Sequence, residues 1–183
     1  MTRYIALAAA VLMVVADQWS KVWASAALSQ QIQVIPGLFY FTYLENTGAA
    51  FGIFRGHAFT LGLISIVILA AITVLMLSKK VSGRLQIYSL ALILAGGVGN
   101  VIDRLRLGFV IDFLDFSAIG GFPIFNVADI FVVVGTGMLM VHILFFDGKK
   151  AQQEGAHIPP QESPDPQGEN QEPSKGGQIG ENN

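Results

Sequence analysis

The chain has 183 residues, of which 52% are hydrophobic and only 13% are charged, and its formal net charge is −2. Soluble globular proteins carry about 25% charged residues, so this composition indicates that lipid surrounds much of the chain. A net charge this small gives no indication of a nucleic-acid partner. The absence of cysteine excludes disulfide bonds, a thiolate nucleophile and thiolate metal ligands.

Four segments are long and apolar enough to cross the hydrocarbon core of a bilayer, which takes about 20 residues of α-helix. They run from about Tyr4 to Ala27, from Ala58 to Leu77, from Leu85 to Val101 and from Ile124 to Phe146. We therefore predict an all-α membrane protein in which four transmembrane helices form one domain over residues 1–150.

The first apolar segment has an alternative interpretation as a cleaved secretory signal. Ala24-Ser25-Ala26 resembles the small-residue site at which such signals are cut. Asp17, Gln18 and Lys21, however, stand between the apolar run and these small residues, where a signal peptide is normally apolar. The sequence therefore favours a retained helix.

The distribution of charge predicts the orientation. Loops rich in Lys and Arg stay in the cytoplasm. With four spans both chain ends lie on one side, and up to Lys150 that side holds six Lys and Arg residues against four on the other. All six acidic residues before Asp147 fall on the second side or in the adjoining helix ends. We therefore predict cytoplasmic termini and a polar cluster near the outer face.

Two segments have compositions unlike those of the helices. Residues 29–56, between the first and second helices, mix β-branched and aromatic residues around Pro36-Gly37, which predicts a small strand-rich subdomain on the outer membrane surface. Residues 151–183 are rich in Gln, Glu, Pro and Gly. Such a segment buries too little apolar surface to fold, so we predict a disordered cytoplasmic tail that carries no chemistry.

The outer ends of the helices and the outer loops hold the polar side chains of interest. The set comprises Asp17, Lys21, Asn46, Asn100, Asp103, Arg104, Asp112, Asn126 and Asp129. An ionisable group at membrane depth usually has a partner or a function. The short link between the third and fourth helices returns the chain to the same end of the bundle, so we expect Asp112 to approach Asp129.

Two carboxylates that meet in a low-dielectric site do not both ionise readily, and they tend to share one proton. The ionised member can activate a water molecule while the protonated member donates to a leaving amine, which suits peptide hydrolysis. Buried acids held by neighbouring amides are the structural alternative. Asp115 lies three residues after Asp112, and spacing alone does not decide between them.

A small ion- or proton-coupled transporter is the functional alternative, because intramembrane acids also form relays. Such a relay needs ionisable groups through the depth of the membrane. The cytoplasmic halves of the four predicted helices are apolar apart from His142 near one end. This distribution favours a site that opens on one side only.

Five motifs occur in a fixed order along the chain: "DQWSK", "ENTGAAFG", "GGVGNVIDR", "VIDFLDF" and "FNVAD". From Tyr4 to about Phe146 the sequence resembles bacterial lipoprotein signal peptidase, also called signal peptidase II, a family of intramembrane aspartic proteases. The resemblance implies an inner-membrane endopeptidase that cleaves prolipoproteins before a diacylglyceryl-modified lipobox cysteine. We expect a monomer surrounded by membrane lipids.

The resemblance also implies a role for each matching residue. Asp112 and Asp129 correspond to the catalytic pair, and Asp115 does not. The substrate-binding residues implied are Asn46, Asn100, Arg104 and Asn126. Asp17, Lys21 and Asp103 follow as supporting residues. Asn100 and Asn126 could equally form hydrogen bonds between helices. No metal or other cofactor is predicted.

Overall fold

A computed structural model describes residues 1–48, 53–78 and 80–147. The predicted tail after Lys150 lies outside these residues. Four helices are long and apolar enough to cross a membrane, as the sequence predicts. They are α1 (Thr2–Ala27), α2 (Ala58–Leu77), α3 (Arg84–Leu107) and α4 (Val127–His142), and a π-helical turn over Ile143–Asp147 extends α4.

Two of the helix boundaries differ from prediction by three residues or more. Helix α3 continues six residues past Val101 to Leu107 and ends at Gly108. The left-handed backbone of Gly108, with φ of 80°, suits glycine because it has no Cβ. Helix α4 begins at Val127 rather than Ile124, because the side chain of Asn126 caps it.

Helix α3 lies at the centre of the bundle and contacts α1, α2 and α4. Its glycines allow the neighbouring helices to come close. A Cβ on Gly96 would lie 2.2 Å from the backbone oxygen of Ala128 in α4, and one on Gly99 would lie 2.4 Å from Oδ2 of Asp17 in α1. Glycine at helix interfaces permits this backbone approach in membrane proteins.

A three-stranded antiparallel sheet covers one end of the bundle, which we call the sheet end. Strands β1 (Ile32–Ile35) and β2 (Phe39–Asn46) form a hairpin between α1 and α2, within the segment predicted to hold strands. Strand β3 (Val110–Asp115) comes from the link between α3 and α4 and pairs with β2. The sequence pattern predicted only a connection there, so the third strand is a finding of the structure.

Strand β3 joins the sheet to the helices. Its residues Ile111 and Phe113 are buried against Ala24 and Leu28 at the end of α1. Trp23 packs edge-to-face on Phe113, with ring centroids 6.1 Å apart. This apolar cluster fixes β3, and therefore Asp112, relative to the first helix.

The far end of the bundle is closed by apolar packing and by one guanidinium. The buried residues there include Ala6, Met76, Ile87 and Leu90. Arg3 donates hydrogen bonds to the backbone oxygens of Ser78, at 2.9 Å, and of Val81. The last carbonyls of a helix lack intrahelical partners, so Arg3 ties α1 to the end of α2.

Candidate active site

A cavity of about 490 Å³ lies at the sheet end between α3, α4 and the sheet. Five of the polar residues singled out in the sequence line it: Asn46, Asn100, Arg104, Asp112 and Asp129. The rest of the lining is mainly apolar and includes Phe122, Phe125, Ile130 and Val133. A mostly apolar cavity with a few convergent polar groups is the usual form of a ligand site.

Asp112 lies in β3 and is 2% exposed. Each of its carboxyl oxygens accepts one amide hydrogen bond, Oδ2 from Asn46 Nδ2 at 2.9 Å and Oδ1 from Asn126 Nδ2 at 2.7 Å. Burial, reinforced by the nearby charge of Asp129 and opposed by these two amides, raises the pKa of Asp112 to about 6. A carboxyl of this kind can hold a proton in a weakly acidic medium.

Asp129 lies in the first turn of α4 and is oriented by a capping box. Its Oδ2 accepts the backbone N–H of Asn126 at 3.2 Å, and its own N–H donates to Asn126 Oδ1 at 3.0 Å. This reciprocal arrangement satisfies two backbone donors at the helix start. The other oxygen, Oδ1, accepts from Asn100 Nδ2 at 2.8 Å, so the carboxyl is held at two points.

Asn126 connects the two carboxyl groups. It is fully buried, and its Nδ2 donates both to Asp112 Oδ1 at 2.7 Å and to Asn100 Oδ1 at 3.0 Å. Asn100 in turn donates to Asp129. The structure therefore places Asp112, Asp129, Asn100 and Asn126 in one hydrogen-bond network at the wall of the cavity.

Arg104 brings a positive charge to the same cavity. Its Nη2 donates to the backbone oxygen of Gly48 at 3.1 Å. Its Nε is buried and has no hydrogen-bond partner among the described residues. A buried N–H without a partner is costly, and a guanidinium is suited to oxygen acceptors. Arg104 therefore retains a donor for a ligand.

The supporting residues of the sequence analysis form a buried ionic cluster beside this network. Lys21 Nζ lies 3.1 Å from Asp17 Oδ2 and 2.9 Å from Asp103 Oδ2. Asp17 Oδ1 accepts the N–H of Ala128 at the start of α4, and Asp103 Oδ2 accepts the N–H of Ile111 in β3. The cluster thus joins α1 and α3 to the two elements that carry Asp112 and Asp129.

Gln18 also belongs to this cluster, although the sequence pattern predicted no role for it. Its Nε2 lies 3.2 Å from Asp17 Oδ2, 3.0 Å from Asp103 Oδ1 and 3.2 Å from the backbone oxygen of Gly99. It therefore bridges the two acids that Lys21 also joins. Its position inside "DQWSK" was the available signal.

Asp115 lies in a different environment from Asp112. It is absent from the residues that line the cavity. Its carboxylate accepts from Thr42 Oγ1 at 2.6 Å, from Gln31 Nε2 at 3.2 Å and from the N–H of Ser117 at 2.9 Å. Burial alone would raise the pKa of Asp115, but the hydrogen bonds from Ser117, Thr42 and Gln31 outweigh it and hold the pKa below its usual value. Asp115 therefore stabilises the sheet by joining β3 to Thr42 in β2 and to Gln31.

Within residues 1–48, 53–78 and 80–147, no group of three or more His, Cys, Asp or Glu side chains has the arrangement of a metal site.

The family model described as signal peptidase (SPase) II matches residues 9–145 of the chain, which is more than half of its length. The chain belongs to the signal peptidase II family.

Individual proteins show the same likeness. The lipoprotein signal peptidase of Clostridium acetobutylicum is 40% identical over 141 residues, covering 75% of this chain and 92% of the relative. That of Streptococcus thermophilus is 36% identical over 158 residues, covering 85% and 99%. A solved bacterial membrane enzyme, determined by the in meso method at 2.3 Å resolution, matches with a TM-score of 0.73 and 31% identity over 80% of this chain and 91% of that one.

Membership of the signal peptidase II family makes this protein a membrane peptidase that removes signal peptides from prolipoproteins. Its four apolar helices agree with a multi-pass protein of the inner membrane. The comparisons give no support to the alternative of a small transporter.

Proposed function

We propose that this signal peptidase II hydrolyses its substrate as an aspartic protease in which Asp112 and Asp129 are the catalytic pair. The observation that carries the proposal is the shared network: Asn126 donates to Asp112, and Asn100, which Asn126 also contacts, donates to Asp129. Both carboxyl groups line one cavity. The bond cleaved is the one before a diacylglyceryl-modified cysteine.

In this mechanism Asp112 carries the shared proton, because its pKa is raised to about 6. Asp129 is the base. It takes a proton from a water molecule, whose oxygen attacks the carbonyl carbon of the scissile peptide bond. Asp112 then gives its proton to the cysteine nitrogen, the C–N bond breaks, and a carboxylic acid and a free amine are released.

The lining of the cavity suits a lipidated substrate. Apolar side chains such as Ile130 and Val133 accept acyl chains or the apolar signal segment, because their contact with water is unfavourable. Arg104 donates to a carbonyl oxygen of the substrate, since its Nε has no hydrogen-bond partner among the described residues. Asn46 and Asn100 hold the carboxyl groups while the substrate binds.

The test is cleavage of a synthetic diacylglyceryl-modified prolipoprotein peptide by purified full-length protein. Asp112→Asn and Asp129→Asn should each lose turnover by several orders of magnitude and still bind substrate. The double variant should be little worse, because residues that act as a unit are not additive. Substantial cleavage by either single variant would contradict the aspartic mechanism.

Asp115→Asn is the matched control, since Asp115 is a neighbouring aspartate outside the cavity. Turnover per folded molecule should stay within about tenfold of wild type, equivalent to about 1.4 kcal/mol. An unlipidated peptide of the same sequence tests the substrate class. Equal turnover of the two peptides would contradict recognition of the diacylglyceryl group and leave the assignment of the catalytic pair intact.

A further inference from the structure

Lys21 makes one contact that its charge balance does not require. The side chain is 1% exposed, and Asp17 and Asp103 already supply two carboxylates to its ammonium. The third contact is to a neutral group: Nζ donates to Asn100 Oδ1 at 2.9 Å. This contact reaches from the ionic cluster into the network that holds the two cavity carboxyl groups.

Asn100 has only one orientation that satisfies its neighbours. Its Oδ1 accepts from Lys21 Nζ and from Asn126 Nδ2, and its Nδ2 donates to Asp129 Oδ1 at 2.8 Å. An ammonium can only donate. If the amide turned over, its NH₂ group would face the donors of Lys21 and Asn126, and its oxygen would face the Asp129 carboxylate. Lys21 therefore acts with Asn126 to fix which end of the amide meets Asp129.

We propose that Lys21 is a positioning residue of the active site, whose ammonium fixes the Asn100 amide so that it donates to Asp129. The inference rests on the proposed catalytic pair and assigns Lys21 a task beyond joining helices. It acts through Asn100 and does not contact the substrate. The reaction then depends on a charge in α1, although both catalytic carboxyl groups lie elsewhere.

The charge of Lys21 also affects ionisation at the site. The ammonium is faced by Asp17 from α1 and by Asp103 from α3. The carboxyl pair is faced by Arg104 from α3, and the positive charge of Lys21 favours the ionised form of Asp112. Loss of Lys21 makes deprotonation of Asp112 harder. The alkaline limb of the pH profile, along which Asp112 loses its proton, should therefore move to higher pH.

The experiment is a double-mutant cycle on purified full-length protein with the lipidated peptide. We expect Lys21→Met to lower kcat on the order of a hundredfold, the size of effect that a displacement of about 1 Å produces, with KM little changed. Asn100→Ala should lower kcat as well, and Lys21→Met/Asn100→Ala should be no slower than Asn100→Ala alone. Lys21→Gln, which keeps an N–H donor without the charge, should recover part of the loss.

The pH profile separates positioning from mere support of the fold. Lys21→Met and Lys21→Gln should both shift the alkaline limb to higher pH, as expected for loss of a nearby opposite charge. Arg106→Met, which removes an exposed cation from the end of the same helix as Asn100, should leave kcat and the alkaline limb unchanged. If Lys21→Met fails to accumulate, Lys21→Gln and its double variant with Asn100→Ala decide by the same measurements.

Additive losses in the cycle, or a lower melting temperature with an unmoved alkaline limb, would overturn the inference and show that Lys21 is only a structural residue. That outcome leaves the proposed function standing, because wild-type cleavage and its loss in Asp112→Asn are measured in the same assay. Cleavage by Asp112→Asn would instead contradict the proposed function itself.

Discussion

At the scale of single residues, the ionisation of Asp112 is set by a competition. Burial and the Asp129 charge favour its protonated form, whereas the amides of Asn46 and Asn126 favour its carboxylate. The result is a pKa of about 6. Below this pH Asp112 keeps its proton and can serve as the proposed acid. As the pH rises through this value the proton is lost, and the proposed acid is lost with it.

Asn46→Ala tests this balance. It removes the hydrogen bond from Asn46 Nδ2 to Asp112 Oδ2, which stabilises the carboxylate, so the pKa of Asp112 should rise further. We expect the alkaline limb of the kcat profile to move to higher pH and the maximal turnover to fall. Thr47, the next residue, is exposed, so Thr47→Ala is the control and should leave the alkaline limb in place. A shift to lower pH in Asn46→Ala would show that Asp112 does not govern the alkaline limb.

The difference between Asp112 and Asp115 could not be derived from spacing. The two acids are three residues apart, and either could have faced the cavity. In the folded chain the turn that follows β3 supplies the N–H of Ser117 to Asp115, and Thr42 comes from β2. Ser117 is a local partner, but Thr42 lies 73 residues away in the sequence, and no local pattern connects it to Asp115. The resemblance distinguished the two acids where the residue pattern did not.

At the scale of elements, hydropathy predicted the helices well and failed for β3. The helices are marked by runs of about 20 apolar residues. In β3 five of the six residues are buried, so apolar and polar residues do not alternate in the way that marks a half-exposed strand. The β2–β3 pairing also brings Asn46 to Asp112 across 66 residues. The local sequence of either strand does not predict the register of the β2–β3 pairing.

Helices α3 and α4 pack too closely at Gly96 to accommodate a side chain there. A Cβ there would lie 2.2 Å from the backbone oxygen of Ala128, the residue before Asp129. We expect Gly96→Ala to lower the free energy of unfolding by about 1–3 kcal/mol, the usual cost of overpacking. Turnover per folded molecule should fall too, because the start of α4 must move.

Gly137→Ala is the matched control, since a Cβ on that α4 glycine meets nothing within 4 Å among the described residues. It should be neutral or slightly stabilising, because alanine is favoured over glycine inside a helix by about 0.5–1 kcal/mol. Thermal unfolding in detergent and kcat give the two measurements. Equal stability of the two variants would contradict the importance of this contact.

At the scale of the whole molecule, the polar groups of the site gather at one end of the bundle. The buried Asp and Lys side chains of the described residues all belong to the sheet end: Asp17, Lys21, Asp103, Asp112 and Asp115. The opposite end is an apolar cluster closed by Arg3. This uneven distribution was predictable from the sequence. The acidic residues before Asp147 all fall in the loops and helix ends on one side of the four predicted spans.

We expect the sheet end to face the periplasm and both chain ends to face the cytoplasm, because the positive residues at the far end include Arg3, Lys80 and Arg84. Protease added to intact spheroplasts should leave an epitope placed after Lys150 untouched and should remove it after lysis. An epitope in the hairpin turn at Pro36-Gly37 should behave in the opposite way. Loss of the first epitope without lysis would reverse the orientation.

The position of β3 in the chain has a consequence for biosynthesis. The β1–β2 hairpin emerges from the ribosome long before residues 110–115 are synthesised. The edge of β2 that pairs with β3 therefore stays unpaired until α3 has been inserted and β3 has crossed the membrane. The proposed acid and base then arrive 17 residues apart, on either side of the cap Asn126. A nascent chain that stops before Val127 carries only one of them. Under the proposed mechanism, proteolytic competence therefore appears in a single late step of membrane insertion, and incomplete translation products cannot cut signal peptides.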